Sequence, residues 1–483
     1  MAPARLPGWP APDDHEPDSA YRAALRYLLD LSHRPYPRDA HRAHKVARMR
    51  HLLQLLGNPQ RGFASILVAG TKGKGSTTAM LAAILQATGR RVGRFTSPHL
   101  VSFRERIWAD GRFVAASELT AYTHQLAPRI TELEQRWPAL GLVTTFEAAL
   151  ALACGHFAAR GCDLAVVEVG IGGTHDATNA LEPAASLITA ISEDHLDVLG
   201  PTLADIATAK AGILRAGRSA LSAPQPAPAE AVLTARARAL GTPLAWVGRE
   251  WQWEPVGTPA GRAPFAVYGP AIRYERLEVP LLGRHQRDNA TLAVAGAHAV
   301  AGDVLPSAAV AAGLRAVEWP GRAQLMPTAP PLLLDGAHNA ASAAALRETL
   351  DECFPEVPRV LLLACSADKD ASGIVNALAT GAVGGVATAT AHERALPPAA
   401  LAAVMRDAGL STTEAASVAE AWRAAAALAG RDGLVVATGS LFLVGELLGQ
   451  LTVPQDGDAA TSQRSTILKA ANRPRDGRLA QTL

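Results

Sequence analysis

A chain of 483 residues is too long for one hydrophobic core, and 49% hydrophobic against 19% charged residues points to two or three folded domains rather than general disorder. The net charge of +2, with no basic stripe interleaved with aromatics, excludes nucleic acid as a main partner. No apolar run reaches membrane-spanning length, and Cys154, Cys162, Cys353 and Cys365 lack metal-type clustering, so a cytoplasmic protein with reduced packing cysteines is expected, with no membrane partner.

Residues 1–18 are proline-rich and acidic, which reads as a disordered arm and not as a secretory leader. A helical pattern covers 21–56 with a polar break at 33–39. The basic residues Arg42, His44, Lys45, Arg48 and Arg50 read as its solvated face. The chain is organised around the stretch 64–77, ASILVAGTKGKGST: an apolar strand, a glycine turn and the start of a helix. Glycines let backbone N–H groups turn inward, and a helix N-terminus favours negative charge, so this is a phosphate cradle. Lys74 reaches the outer phosphates and the Ser76 hydroxyl suits Mg²⁺, although the spacing departs from the standard P-loop.

A strand at 91–95 leads into Thr96-Ser97-Pro98-His99-Leu100, followed by helices near 117–136 and 145–160. A buried strand, 164–167, runs into Glu168 and a glycine turn; another, 186–191, runs into Ser192-Glu193-Asp194-His195. The helix 203–214 has Thr202 as its N-cap and carries Lys210. Residues 244–283 read as β-ribbons at the edge of the first domain, and a helix near Gln286 carries Asn289 in its first turn. Trp319-Pro320-Gly321-Arg322 reads as a hinge. Beyond it, strands at 331–335, 359–365, 384–389 and 433–438 alternate with Ala-rich helices, the pattern of a smaller parallel sheet. Residues from about 453 onward read as a disordered tail.

The loop after 66–68, Glu168 and His195 all fall at carboxyl ends of parallel-type strands, where open α/β sheets bind ligands. A hydroxyl, a carboxylate and an imidazole there could hold a divalent metal beside a triphosphate. Asp335 and His338 in DGAHN repeat the pattern in the second block, with Asn339 as an alternative helix cap.

VAGTKGKGST, TSPHL with Arg104-Glu-Arg-Ile107, EVGIGGTHDATN, Asp194-His195, KAGI (210–213), HQRDNA (285–290), WPGR, DGAHN and Asp368-Lys-Asp370 occur in this order. Together they resemble folylpolyglutamate synthase/dihydrofolate synthase, a branch of the Mur ligase superfamily, over about residues 40–450. The resemblance implies a P-loop, Mur-ligase-like central α/β domain with a parallel sheet (19–319), a hinge (320–322) and a smaller Rossmann-like C-terminal α/β domain (323–452), with 453–483 as tail. It implies ATP contacts at Gly73, Lys74, Gly75, Ser76, Asn289, Arg322, Asp335 and His338, with Asp335 at the ribose and Arg322 at the phosphates. One Mg²⁺ would be met by Ser76, Ser97 and Glu168, and a second by Glu168, His195 and a carbamylated Lys210. It further implies that Lys74, Lys210, His195 and Glu168 carry the catalysis, and that the pterin end of the substrate lies near Thr145, Phe146, Glu147, His175, Asp176 and Ala177.

Three positions depart from the pattern: Lys72 stands where the family usually has Asn, Thr174 where it has Arg, and Ala340 where it has Pro. The loss of Arg at 174 removes a fixed bidentate cation near the substrate. The implied activity is ATP-dependent joining of L-glutamate to a reduced folate, to dihydropteroate, or to both, through an acyl phosphate, by a monomeric enzyme. A peptidoglycan Mur ligase is disfavoured, because too little chain precedes Gly70 for a UDP-binding domain. A degenerate nucleotide-binding regulator is disfavoured by Ser76, Glu168, His195, Lys210 and Asp335 occurring together.

Overall fold

β-Branched and apolar runs bounded by glycine build two parallel sheets, each covered by helices on both faces. The computed structural model describes residues 9–10, 12–13, 16–34, 43–257, 263–302 and 305–452. The expected tail, 453–483, and residues 35–39 of the expected break at 33–39 lie outside the described residues.

The larger sheet contains β1 (Ala64–Ala69), β2 (Val92–Phe95), β3 (Ile107–Ala109), β4 (Arg112–Phe113), β5 (Leu164–Glu168), β6 (Pro183–Ile188), β7 (Ser219–Ser222) and β8 (Leu244–Trp246), in the order β4-β3-β2-β5-β1-β6-β7-β8. From β2 to β8 neighbouring strands run parallel; β3 and β4 continue antiparallel at one edge. On β1 the side chains alternate strictly: Leu67 and Ala69 enter one core, Ile66 and Val68 the other. Both faces are therefore buried, as a parallel sheet requires. The region read as ribbons divides in two. Residues 244–246 extend the large sheet, while β9 (Gln252–Pro255), β10 (Phe265–Gly269) and β11 (Ile272–Leu277) form a separate antiparallel ribbon.

The second sheet holds β12 (Gln324–Met326), β13 (Leu332–Leu334), β14 (Arg359–Leu363), β15 (Ala382–Ala387), β16 (Thr412–Glu414) and β17 (Leu434–Thr438), ordered β12-β13-β17-β14-β15-β16. All pairs but β12–β13 are parallel. Again alternate residues of one strand, Leu361 against Leu362, enter different cores.

Two expectations are corrected here. Arg48, read as part of a solvated helix face, is completely buried and donates to both carboxylate oxygens of Glu147, at 2.9 and 3.0 Å. An apolar helix face and a long-range carboxylate outweigh local charge patterning. The 1–18 segment does not simply trail: its described residues dock on the 97–113 region, with Trp9 edge-on to Phe113 at 4.7 Å and Glu16 paired with Arg104 at 3.2 Å.

Candidate active site

β1 delivers the chain into the glycine loop, and helix Lys74–Ala87 begins at once, three residues earlier than the 77–88 pattern suggests. Gly73 caps that helix at φ +86°, a left-handed conformation, and a Cβ on it would collide with the Asn289 side chain. Gly75 is covered by Trp319; a Cβ there would lie 2.6 Å from the indole. Lys74 Nζ folds back onto the carbonyls of Gly70 (3.1 Å) and Thr71 (3.2 Å). Lys210, from the helix Leu203–Ala211, donates to the same Gly70 carbonyl at 2.8 Å.

These groups border a cavity of about 870 Å³ between the two sheets. Gly73, Lys74, Gly75, Ser76, Ser97, Phe146, Glu168, Asp176, His195, Lys210, Asn289, Arg322, Asp335 and His338 all line it. Thr145, Glu147, His175 and Ala177 do not. Thr145 Oγ1 donates to Leu28 O at 2.6 Å, Glu147 is consumed by Arg48, Ala177 is buried in the core, and His175 is exposed outside the cavity. In this neighbourhood only Phe146 and Asp176, among the six expected pterin-side residues, face the cavity.

The electrostatics follow from burial among cations. Lys210 is 3% exposed; burial, and then nearby Lys74, lower its ammonium to about 7. Burial raises Glu168, against the opposing pull of Lys74 and of the Ser97 N–H, which donates to Glu168 at 3.0 Å. Lys72 binds Asp194 at 2.9 Å. Burial pushes Asp194 up, but the Lys72 ammonium outweighs it and holds the carboxyl at about 2. His195 sits beside this pair with φ +52°, exposed to the cleft, and burial still lowers its pKa.

Across the cleft, Asp335 accepts from Ala323 N (2.7 Å) and Ala337 N (2.8 Å), locking the start of the second block to the end of β13. His338 Nδ1 contacts Gly336 O at 2.8 Å, and burial, reinforced by Lys72, depresses it to about 4. Asn339 takes its alternative role: its side chain accepts from Ser342 N at 2.9 Å and caps the helix Ala340–Cys353. Ala340 is the first residue of that helix, a position that tolerates Pro or Ala alike. Thr174 donates to Ala209 O through both N (2.8 Å) and Oγ1 (3.1 Å), packing beneath the Lys210 helix.

Sequence reasoning missed several lining residues. Arg106 donates to His99 at 2.9 Å and faces the cavity, as do Lys45, Lys369 and Arg394. RERI and Asp368-Lys-Asp370 are visible as motifs; their convergence depends on tertiary folding and has no local signal.

The donor set suits Mg²⁺. Glu168 is a buried carboxylate, Ser76 and Ser97 are hard oxygen donors, and no cluster of three His, Cys, Asp or Glu occurs among the described residues. Such an ion would share its shell with water and phosphate oxygens rather than sit in a protein cage.

The Mur ligase middle domain matches residues 130–297 and the Mur ligase, glutamate ligase domain matches residues 321–441. The folylpolyglutamate synthase of Lacticaseibacillus casei is 32% identical over 81% of this chain and 91% of its own length. A "Probable bifunctional folylpolyglutamate synthase/dihydropteroate synthase" of Halobacterium salinarum is 35% identical over 93% of this chain. The chain spans about half the length of that relative, 54%. The folylpolyglutamate synthase of Mycobacterium tuberculosis, solved with ADP, superposes with a TM-score of 0.84 at 33% identity, covering 90% of this chain and 99% of its own.

Proposed function

The chain belongs to the folylpolyglutamate synthase/dihydrofolate synthase family, and from that premise we propose that it is an ATP-dependent ligase joining L-glutamate to a reduced folate, to dihydropteroate, or to both. The observation that carries this reading is the convergence of the glycine loop, Glu168 and Lys210 with Arg322, Asp335 and His338 in one cavity between two sheets.

A carboxylate is a poor electrophile. In the proposed reaction its oxygen attacks the terminal phosphorus of ATP, ADP leaves, and the resulting acyl phosphate is attacked by the glutamate amine with loss of phosphate. The glycine-loop amides and the Lys74–Ala87 helix N-terminus cradle the phosphates, and Lys74 exchanges its carbonyl partners for phosphate oxygens. Ser76, Ser97 and Glu168 would hold one Mg²⁺, and Glu168, His195 and carbamylated Lys210 a second; when bound, the ions neutralise charge on the phosphoryl group in transfer. Lys210 supports this assignment because an amine lowered to about 7 is substantially uncharged at neutral pH and can add CO₂. Asp335 and Arg322 meet the nucleotide from the second block. Phe146 and Asp176 mark the pterin end. Arrangement into a 19–319 domain and a 323–452 domain, closing about 320–322, would exclude water from the acyl phosphate. No helix among the described residues is long and apolar enough to cross a membrane; a cytoplasmic monomer acting on small molecules belongs to the same proposal.

The test is phosphate release with ATP, Mg²⁺ and glutamate, offering dihydropteroate, tetrahydrofolate or a UDP-muramyl acceptor in turn. Release that requires both glutamate and a pterin acceptor is expected. Release only with the UDP acceptor, or none with any, would overturn the reading.

A further inference from the structure

Asp13 lies 84 residues before Ser97 in sequence, yet it is tied to the loop that carries Ser97 and Arg106 to the cavity. One carboxylate oxygen accepts from Ser102 Oγ (2.7 Å) and from Tyr21 OH (2.6 Å), and the other accepts from Phe103 N (2.8 Å). The Asp13 N–H closes the ring by donating to Val101 O at 3.2 Å. Glu105 supports the same turn from inside, accepting from the N–H groups of Leu100 (2.8 Å), Val101 (2.7 Å) and Ser102 (2.7 Å). On its far side the loop meets the second block: Leu100 and Val101 pack on the core that includes Val444, and a Cβ on Gly445 would run into Leu100 O. At its near end, Ser97 N donates to Glu168.

We propose that Asp13 is a positioning residue of the active site, fixing the 101–103 turn and thereby the placement of Ser97 and Arg106 beside Glu168. Hydrogen bonds to an ionised carboxylate are stronger and more directional than those between neutral groups, so one side chain can hold a turn whose own backbone bonds are few. A small displacement of such a loop is costly to catalysis while leaving the fold intact. The inference rests on the ligase reading above, and the experiment separates the two.

Amide hydrogen exchange, thermal unfolding and steady-state kinetics are measured on the full chain, for wild type, Asp13→Ala, Asp13→Asn and Tyr21→Phe. For Asp13→Ala the expected result is faster exchange confined to 97–106 and a fall in kcat of about ten-fold, with KM for ATP changed less than about two-fold. Asp13→Asn, which retains an acceptor oxygen, falls between Ala and wild type, and Tyr21→Phe, which leaves the loop bonds intact, stays close to wild type. An active wild type whose Asp13→Ala variant keeps the same kcat, or the same exchange at 97–106, overturns this inference alone. So does a loss of kcat that only tracks the folded fraction. If Asp13→Ala does not fold, the Asn variant decides by the same two readouts. A wild type with no glutamate-dependent turnover overturns the ligase reading instead.

Discussion

At the scale of single residues, the same side-chain type takes opposite roles according to what surrounds it. Lys74 and Lys210 share the Gly70 carbonyl and both line the cavity, but Lys210 is buried and Lys74 only half-buried. An ammonium at Lys210 would compete with metals, whereas its carbamate would complement them. Lys210→Ala should therefore lose most activity and regain part of it with added short-chain carboxylates such as acetate, read as phosphate release at neutral pH. A variant as active as wild type would remove Lys210 from the chemistry. The glycine loop and Glu168 stand out in the sequence because each follows an apolar strand, whereas Lys210 is singled out only by the resemblance of KAGI, since a lysine on a helix ordinarily reads as a solvated cation. Asp194, which pairs with Lys72, stands out in the sequence only as a neighbour of His195. Nothing local announces an ion pair between residues on different loops.

At the scale of elements, strands β1, β5, β14 and β17 can be read from uninterrupted apolar runs, which buried parallel strands produce. Short edge strands such as β4 and β12 cannot, since two or three residues carry no period. The helices 45–55 and 145–159 illustrate a deeper limit. Charge on Arg48 suggests solvent, and position in a motif suggests that Glu147 meets substrate; instead the two neutralise each other where both are buried. Removing one partner leaves an uncompensated buried charge. Arg48→Ala should cost about 3–5 kcal/mol, seen as a lower urea midpoint with an unchanged slope. It should also weaken pterin-acceptor binding, because Phe146 on the same helix start lines the cavity. A midpoint equal to wild type would mean that the pair contributes nothing to holding these helices.

At the scale of the whole molecule, two covered sheets face each other across one cavity, which the second block lines with Arg322, Asp335 and His338. That the chain holds two α/β blocks is legible in its alternating pattern; how the blocks meet, including the docked Asp13 segment, is not, because it depends on contacts distant in sequence. Two histidines, His156 in the core and the half-buried His285 at the cavity wall, tie the stability of this assembly to pH. Burial holds His285 at about 4 and lowers His156, whose ring nitrogens have no hydrogen-bond partner among the described residues. In the unfolded chain both return to about 6.5. Between the folded and unfolded values the unfolded chain binds protons that the folded one does not, so this stability is full above about 6.5 and is lost as pH falls. His156→Phe should lose less in Tm than wild type between pH 7.5 and 5; an equal loss in both would mean that His156 is not part of the acid sensitivity.

If a substrate carboxylate is activated by phosphoryl transfer in this cavity, one of its oxygens must end in the released phosphate. Dihydropteroate or folate labelled with oxygen-18 in the acceptor carboxylate tests it most directly, with the released phosphate analysed by mass spectrometry. An acyl phosphate passes one carboxylate oxygen to phosphorus, so one labelled oxygen is expected in each phosphate formed. Amide product accompanied by unlabelled phosphate would contradict it.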